Sequence, residues 1–105
     1  DTGHAYVLEE LGFVDHGEWL SGFDEQLALV HLHDVRAMHK RSDPSQHMVL
    51  GTGLQDHVVP GAGVVDFAQV LRYTSGQAVF TCEFDWYHTA DEVKAGLAYL
   101  REQGI

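Results

Sequence analysis

Residues 29–35 read LVHLHDV, an apolar run that contains two histidines and an aspartate. Side chains alternate between the two faces of a β-strand, so His31 and His33 are expected on one face and Leu32 on the other. Imidazole nitrogens bind divalent metals and transfer protons near neutral pH. The pattern therefore predicts a ligand-binding strand end, with two partly buried, hydrogen-bonded histidines as the structural alternative.

Three further segments carry residue types that could join this strand end. Glu83 lies in the apolar stretch TCEFDW, where a carboxylate needs a partner to offset its desolvation. The segment DTGH places Asp1 and His4 at an expected strand end, with a frayed terminus as the alternative. In QDHVVPGAG, His57 precedes a Pro-Gly turn, and a solvated loop histidine is its alternative. The other histidines are expected on the surface: His16, His39, His47 and His88.

Asp1, His31 and Glu83 together offer two carboxylates and one imidazole. This mixture of hard oxygen and borderline nitrogen ligands suits Mn²⁺, Mg²⁺, Co²⁺ or Zn²⁺, and the share of carboxylates favours the first two. The single cysteine, Cys82, is not part of the set, so a structural zinc held by thiolates is not expected. The residue types therefore predict a divalent-metal site.

The elements that must position these side chains follow from periodicity and end signals. Residues 4–13 and 16–28 predict two irregular helical pieces, residues 27–35 a buried strand, and residues 36–65 a long loop. Asp66 is a predicted N-cap for a helix that Gly76 closes, and residues 77–84 form the second strand. The clearest helix spans residues 89–104, with a capping box of Thr89 and Glu92 and with Gly104 at its end.

This order of elements predicts an α/β fold. Strands separated by helices indicate βαβ units with parallel pairing, in one small domain over residues 1–105. Two strands are too few for a parallel sheet that is covered on both faces, so partner chains or further sequence are expected to complete it. The open sheet edges predict self-association into a homo-oligomer.

Composition narrows the classes of partner. The chain has 105 residues, of which 45% are hydrophobic, and a formal net charge of −10. Such a surface repels nucleic-acid phosphates and anionic membranes, so neither partner is expected. One cysteine cannot form an internal disulfide, and no segment resembles a membrane span or a signal peptide. We therefore expect a cytoplasmic protein.

The order of DTGH, HLHD, DHVVPGAGVVDF and TCEFDW resembles the xylose-isomerase-like TIM barrels. These include sugar-phosphate isomerases and epimerases and the endonuclease IV group. The resemblance covers residues 1–105 and implies the C-terminal βα units of a (β/α)8 barrel, from the end of strand six through helix eight. The resemblance therefore implies a barrel that is incomplete in this chain. It also implies a further metal-binding glutamate on an earlier strand, which this sequence does not supply.

The resemblance also implies roles for individual residues. Asp1, His31 and Glu83 would bind one divalent metal ion, and Glu83 would transfer the proton beside the carbonyl of a sugar or sugar phosphate. The residues expected to contact substrate are His4, His33, His57 and Arg36.

Two other functions stay open. In an endonuclease IV-like zinc phosphodiesterase His4 would bind a second metal, but that branch reads Asp-x-His where this chain has Gln55 two residues before His57. This departure and the acidic surface favour the sugar isomerase or epimerase. The remaining alternative is a non-catalytic barrel fragment that self-associates.

Overall fold

The computed structural model describes residues 1–23, 26–37, 53–74 and 76–105. These ranges form a mixed α/β structure, which bears out the predicted fold class at that level. Its helices and strands, in chain order, are α1 (Thr2–Glu10), α2 (His16–Phe23), β1 (Leu29–Leu32), β2 (Asp34–Ala37), β3 (Leu54–Val58), α3 (Phe67–Arg72), β4 (Val79–Cys82) and α4 (Ala90–Gln103).

Strands β1 and β4 pair in parallel, as the intervening helix predicts. Their register runs from Leu29 opposite Val79 to Leu32 opposite Cys82. The N–H of Glu83 donates to the carbonyl of Leu32 at 3.0 Å and extends the pairing past the end of β4. The carboxyl ends of both strands therefore lie side by side.

The sequence prediction is wrong for residues 34–37 and 54–58. The predicted strand breaks at His33, and β2 then pairs antiparallel with β3, with a register shift between Asp34 and Arg36. Strand β3 falls where a loop was expected, while residues 38–52 lie outside the described residues. The strand escapes detection because Gln55 and Asp56 are buried polar residues, so β3 lacks the alternation of apolar and polar positions that marks a half-buried strand.

The hydrophobic core joins β1 and β2 to helices α3 and α4. Its side chains that are exposed by 2% or less are Val30, Leu32, Val35, Phe67, Val70 and Leu100. Full burial of an aliphatic or aromatic side chain of this size contributes roughly 1.5–3 kcal/mol. This core fixes the strands whose ends carry the candidate site.

The helix ends are set by local sequence. The predicted capping box of Thr89 and Glu92 begins α4, and Gly104 ends it with φ 100°. Asp66 caps α3 as predicted, although that helix ends at Arg72, with Tyr73 as its C-cap, before Gly76. Residues 2–4 are not a strand end, because the Asp1 carboxylate caps α1 and the helix begins at once.

Asp34 fastens the segment 59–65 to β2. Its buried carboxylate accepts four backbone hydrogen bonds, from the N–H groups of Val35 and Val65 at Oδ1 and of Gly61 and Gly63 at Oδ2, all at 2.8–2.9 Å. A Cβ at Gly63 would overlap both the Asp34 carboxylate and the Val35 carbonyl. Asp34, the aspartate of LVHLHDV, therefore has a structural role, because it holds the segment 59–65 against β2.

In the described ranges, every helix is too short or too polar to cross a membrane.

Candidate metal centre

Asp1, His31 and Glu83 meet at the carboxyl end of the parallel pair. His31 lies on β1 and Glu83 follows β4, and His31 Nδ1 is 2.9 Å from Glu83 Oε2. Asp1 reaches the same place as the N-cap of α1. One potential ligand atom from each residue lies within 4.8 Å of the other two. The structure thus brings together the three residues predicted as metal ligands.

The donor set and its spacing fit a divalent ion. Two ligand atoms that each lie about 2.1 Å from one ion are at most about 4.2 Å apart, so ligand atoms that lie within 4.8 Å of one another need side-chain shifts of at most a few tenths of an ångström to hold an ion. The side chains are 23%, 40% and 44% exposed for Asp1, His31 and Glu83, so an ion and a further ligand can approach from solvent. Carboxylate oxygens and one imidazole nitrogen match the preferences of Mn²⁺, Mg²⁺, Co²⁺ or Zn²⁺.

A second group, which we call the histidine cluster, consists of His4, His33 and His57. The rings of His33 and His57 stack with centroids 4.3 Å apart and an interplanar angle of 2°. His4 meets both of them edge-on, at 4.9 Å from His33 and 5.2 Å from His57. These three residues also offer ligand atoms within 4.8 Å of one another.

Asp56 connects two members of the histidine cluster. Its Oδ2 is 3.3 Å from His4 Nε2, and its Oδ1 is 3.3 Å from His57 Nδ1. Strand alternation would place adjacent residues on opposite faces, but His57 adopts a left-handed backbone with φ 53°. Sequence reasoning did not select Asp56 as a site residue, and its position beside His57 was the available signal.

His33 occupies the buried side of the cluster, with no exposed surface. Its Nδ1 accepts a hydrogen bond from the His57 N–H at 2.9 Å, and its Nε2 lies 2.8 Å from Asp1 Oδ1. Thr2 Oγ1 donates to the His33 carbonyl at 2.9 Å. The ring packs so closely on α1 that a Cβ at Gly3 would overlap it. A predicted substrate-contacting residue is thus shielded from solvent.

Burial favours the neutral form of the His33 and His4 imidazoles. Desolvation lowers the pKa of His33, and the nearby carboxylates of Asp56 and Glu83 offset part of that effect. Desolvation also lowers the pKa of His4, and the neighbouring rings of His33 and His57 lower it further. Neutral imidazole is the form that accepts a hydrogen bond or binds a metal.

Arg36, a predicted substrate-contacting residue, lies farther along β2. Its Nε donates to Gln55 Oε1 at 2.7 Å, and Gln55 Nε2 in turn donates to the Tyr87 hydroxyl. The buried Gln55 amide is therefore engaged by Arg36 and Tyr87. Arg36 lines a cavity between the segment 59–62 and α4, together with His88 and Tyr99, and none of the three predicted metal ligands lines that cavity.

Of the histidines expected on the surface, His16 is buried and His88 is partly buried. His16 is 2% exposed at the start of α2, and the side chain of His88 is 4% exposed. His88 Nε2 lies 3.3 Å from the His57 carbonyl. The expectation failed because neither residue belongs to a periodic apolar pattern, and contacts between distant segments bury both. His39 and His47 lie outside the described residues.

Comparison of the chain with protein-family models, with curated proteins and with solved structures gave no match. The resemblance to xylose-isomerase-like barrels therefore continues to rest on its four motifs.

Proposed function

We propose that this chain is the C-terminal part of a divalent-metal-dependent isomerase or epimerase of sugars or sugar phosphates, with the barrel architecture that its motifs resemble. The observation that carries the proposal is the convergence of Asp1, His31 and Glu83 at one end of a parallel strand pair. Active sites of parallel α/β folds gather at the carboxyl ends of strands.

The three residues divide the chemistry between them. A divalent ion held by Asp1, His31 and Glu83 would polarise the carbonyl and hydroxyl oxygens of a bound sugar. Glu83 is the carboxylate we assign to proton transfer at the carbon beside the carbonyl, because its side chain is the most exposed of the three. His31, 2.9 Å from Glu83, holds that carboxylate at the strand end.

The histidine cluster forms the adjoining wall of the proposed substrate site. The side chain of His4 is 50% exposed and that of His57 is 17% exposed, so both can donate to or accept from sugar hydroxyls. Arg36 suits a more distant phosphate or hydroxyl, since guanidinium binds phosphate well.

The first experiment is a Mn²⁺ titration of the purified chain, followed by the paramagnetic signal of free Mn²⁺. We expect about one site per chain and loss of measurable binding in His31→Ala and Asp1→Asn. Asp91→Asn is the matched control, because it removes the same charge from a side chain that is 95% exposed on α4. Equal binding by Asp1→Asn and Asp91→Asn would contradict the site.

The chemistry is tested by exchange of substrate carbon-bound hydrogen with deuterated water, over a panel of free and phosphorylated ketoses. Glu83→Gln should abolish the exchange in samples whose Mn²⁺ occupancy matches the wild type. Undiminished exchange in such samples would refute the assignment of Glu83.

The histidine cluster favours one second candidate, a zinc phosphodiesterase of the endonuclease IV type, since it offers a second set of ligand atoms. Zinc stoichiometry separates the two functions: two or more zinc ions per chain support the phosphodiesterase, and one supports the isomerase. The engagement of both His33 ring nitrogens by other groups favours the single ion.

A further inference from the structure

We infer that His33 is a positioning residue that holds one carboxylate oxygen of Asp1 and thereby leaves the other oxygen to the metal. This inference rests on the proposed function for its consequence, but the His33–Asp1 hydrogen bond can be tested without any metal. It changes the role of His33 from the predicted substrate contact to support of a ligand.

The hydrogen bonds of His33 define which ring nitrogen carries the proton. The His57 backbone N–H can only donate, so Nδ1, which accepts it at 2.9 Å, is unprotonated. The proton of the neutral ring is then on Nε2, which donates to Asp1 Oδ1 at 2.8 Å. The carbonyl of Asp34 lies farther from Nδ1, at 3.3 Å, and would require the opposite tautomer.

The backbone around His33 is arranged to support this tautomer. Among the described residues, His57 is the one residue other than glycine with a positive φ, and this conformation accompanies the contact of its N–H with the His33 ring. Such backbone conformations are costly and collect at functional sites. The missing side chain at Gly3 makes room for the ring above α1.

The two oxygens of Asp1 differ as a result. Oδ1 accepts from His33 Nε2 and from the His4 backbone N–H, both at 2.8 Å, which occupies that oxygen. Oδ2 lies 3.2 Å from Nδ1 of the half-exposed His4 ring, whose other nitrogen, Nε2, lies 3.3 Å from Asp56 Oδ2. Oδ2 is therefore the oxygen that can join His31 and Glu83 around an ion.

Two substitutions separate positioning from simple packing. In His33→Gln the amide nitrogen falls near the position of Nε2 and can still donate to Asp1. In His33→Asn the amide oxygen falls near Nδ1 and can accept from the His57 N–H, but the side chain is too short to reach Asp1. Both variants lose the imidazole, so a purely structural role predicts the same effect for both.

We expect His33→Asn to weaken Mn²⁺ binding about 10- to 100-fold, the usual effect of removing a partner that orients a metal ligand. The Mn²⁺ affinity of His33→Gln should stay within a few-fold of that of the wild type, although its melting temperature falls about as far as that of His33→Asn. Equal Mn²⁺ affinities of the Asn variant and the wild type would overturn the inference and leave the metal site standing.

A measurement on the metal-free wild type does not depend on any variant folding. Long-range ¹H–¹⁵N correlation of the His33 ring should show a protonated Nε2 and an unprotonated Nδ1. The opposite tautomer would overturn the inference whatever the chain binds. Failure of the wild type to bind Mn²⁺, with the expected tautomer present, would overturn the proposed function and keep the His33–Asp1 contact.

Discussion

His31 Nδ1 lies 2.9 Å from Oε2 of Glu83, across the parallel register that pairs β1 with β4. The two residues are 52 positions apart in sequence, yet each could be predicted as a site residue from its position near the end of a strand. The contact joins the ends of two short apolar strands at the candidate metal centre. It also makes the centre sensitive to the pairing of those strands.

A metal bound at this centre should stabilise the folded chain. Mn²⁺ at 100 times its dissociation constant is expected to raise the free energy of unfolding by about 2.7 kcal/mol, since the unfolded chain lacks the site. Thermal melts with and without Mn²⁺ measure this, and His31→Ala should abolish the shift. A shift of equal size in His31→Ala would place the binding elsewhere.

Acid should destabilise the fold partly through His16. Burial lowers the pKa of His16, despite the opposing carboxylates of Glu9, Asp15 and Asp66, and its Nε2 has no hydrogen-bond partner among the described residues. Below about pH 6.5 the His16 side chain therefore binds a proton in the unfolded chain but resists it in the folded chain. The free energy of unfolding decreases as the pH is lowered, until the pH passes below the lower pKa of the folded state.

Urea unfolding of the wild type and of His16→Phe at pH 7.5 and pH 5.5 measures this contribution. The phenyl ring keeps most of the buried volume and cannot titrate, so the variant should lose less stability on acidification. An identical loss in both proteins would assign the acid sensitivity to other groups.

We expect Asp34→Asn, which removes the charge of this buried carboxylate, to lower the free energy of unfolding by about 3 kcal/mol. Asp34→Asn turns one carboxylate oxygen, which accepts from two backbone N–H groups, into an amide donor, and an unsatisfied buried donor costs about 1–3 kcal/mol. Asp66→Asn is the matched control, because asparagine caps a helix about as well as aspartate. Chemical denaturation of both variants should show a large loss only for Asp34→Asn.

Two helical glycines should respond in opposite directions to alanine. Gly22→Ala meets open space on α2 and should add about 0.5–1 kcal/mol through helix propensity. Gly3→Ala drives a methyl group into the His33 ring and should lower stability by about 1–3 kcal/mol, typical of overpacking. Stabilisation by both variants would show that the His33 ring can move aside freely.

Local signals in the sequence were enough for part of this fold. The capping box of Thr89 and Glu92 and the closing Gly104 depend on neighbouring residues alone, and they are found as predicted. Strand β3 was missed because it is stabilised by pairing with β2 and contains buried polar residues. Neither feature produces a local apolar pattern in the sequence. The parallel pairing of β1 and β4 was predicted from element order, whereas barrel architecture and self-association stay predictions.

The sequence was enough to predict which residues form the candidate site, but not how their side chains contact one another. Asp1, His31 and Glu83 could be selected by residue type at strand ends. The link between His33 and Asp1 spans 32 positions and depends on a positive φ at His57, which is uncommon for residues other than glycine. The role of Asp56 depends on the same turn of the backbone.

Three of the four hydrogen bonds of Asp34 hold the glycine-containing segment 59–65 against β2. Amide protons of Gly61, Gly63 and Val65 should therefore exchange with solvent as slowly as those of the core strands. The segment following His57 is held in place before any ligand arrives. A molecule that binds beside His57 then needs to order its own atoms but not this part of the chain, which lowers the entropic cost of complex formation.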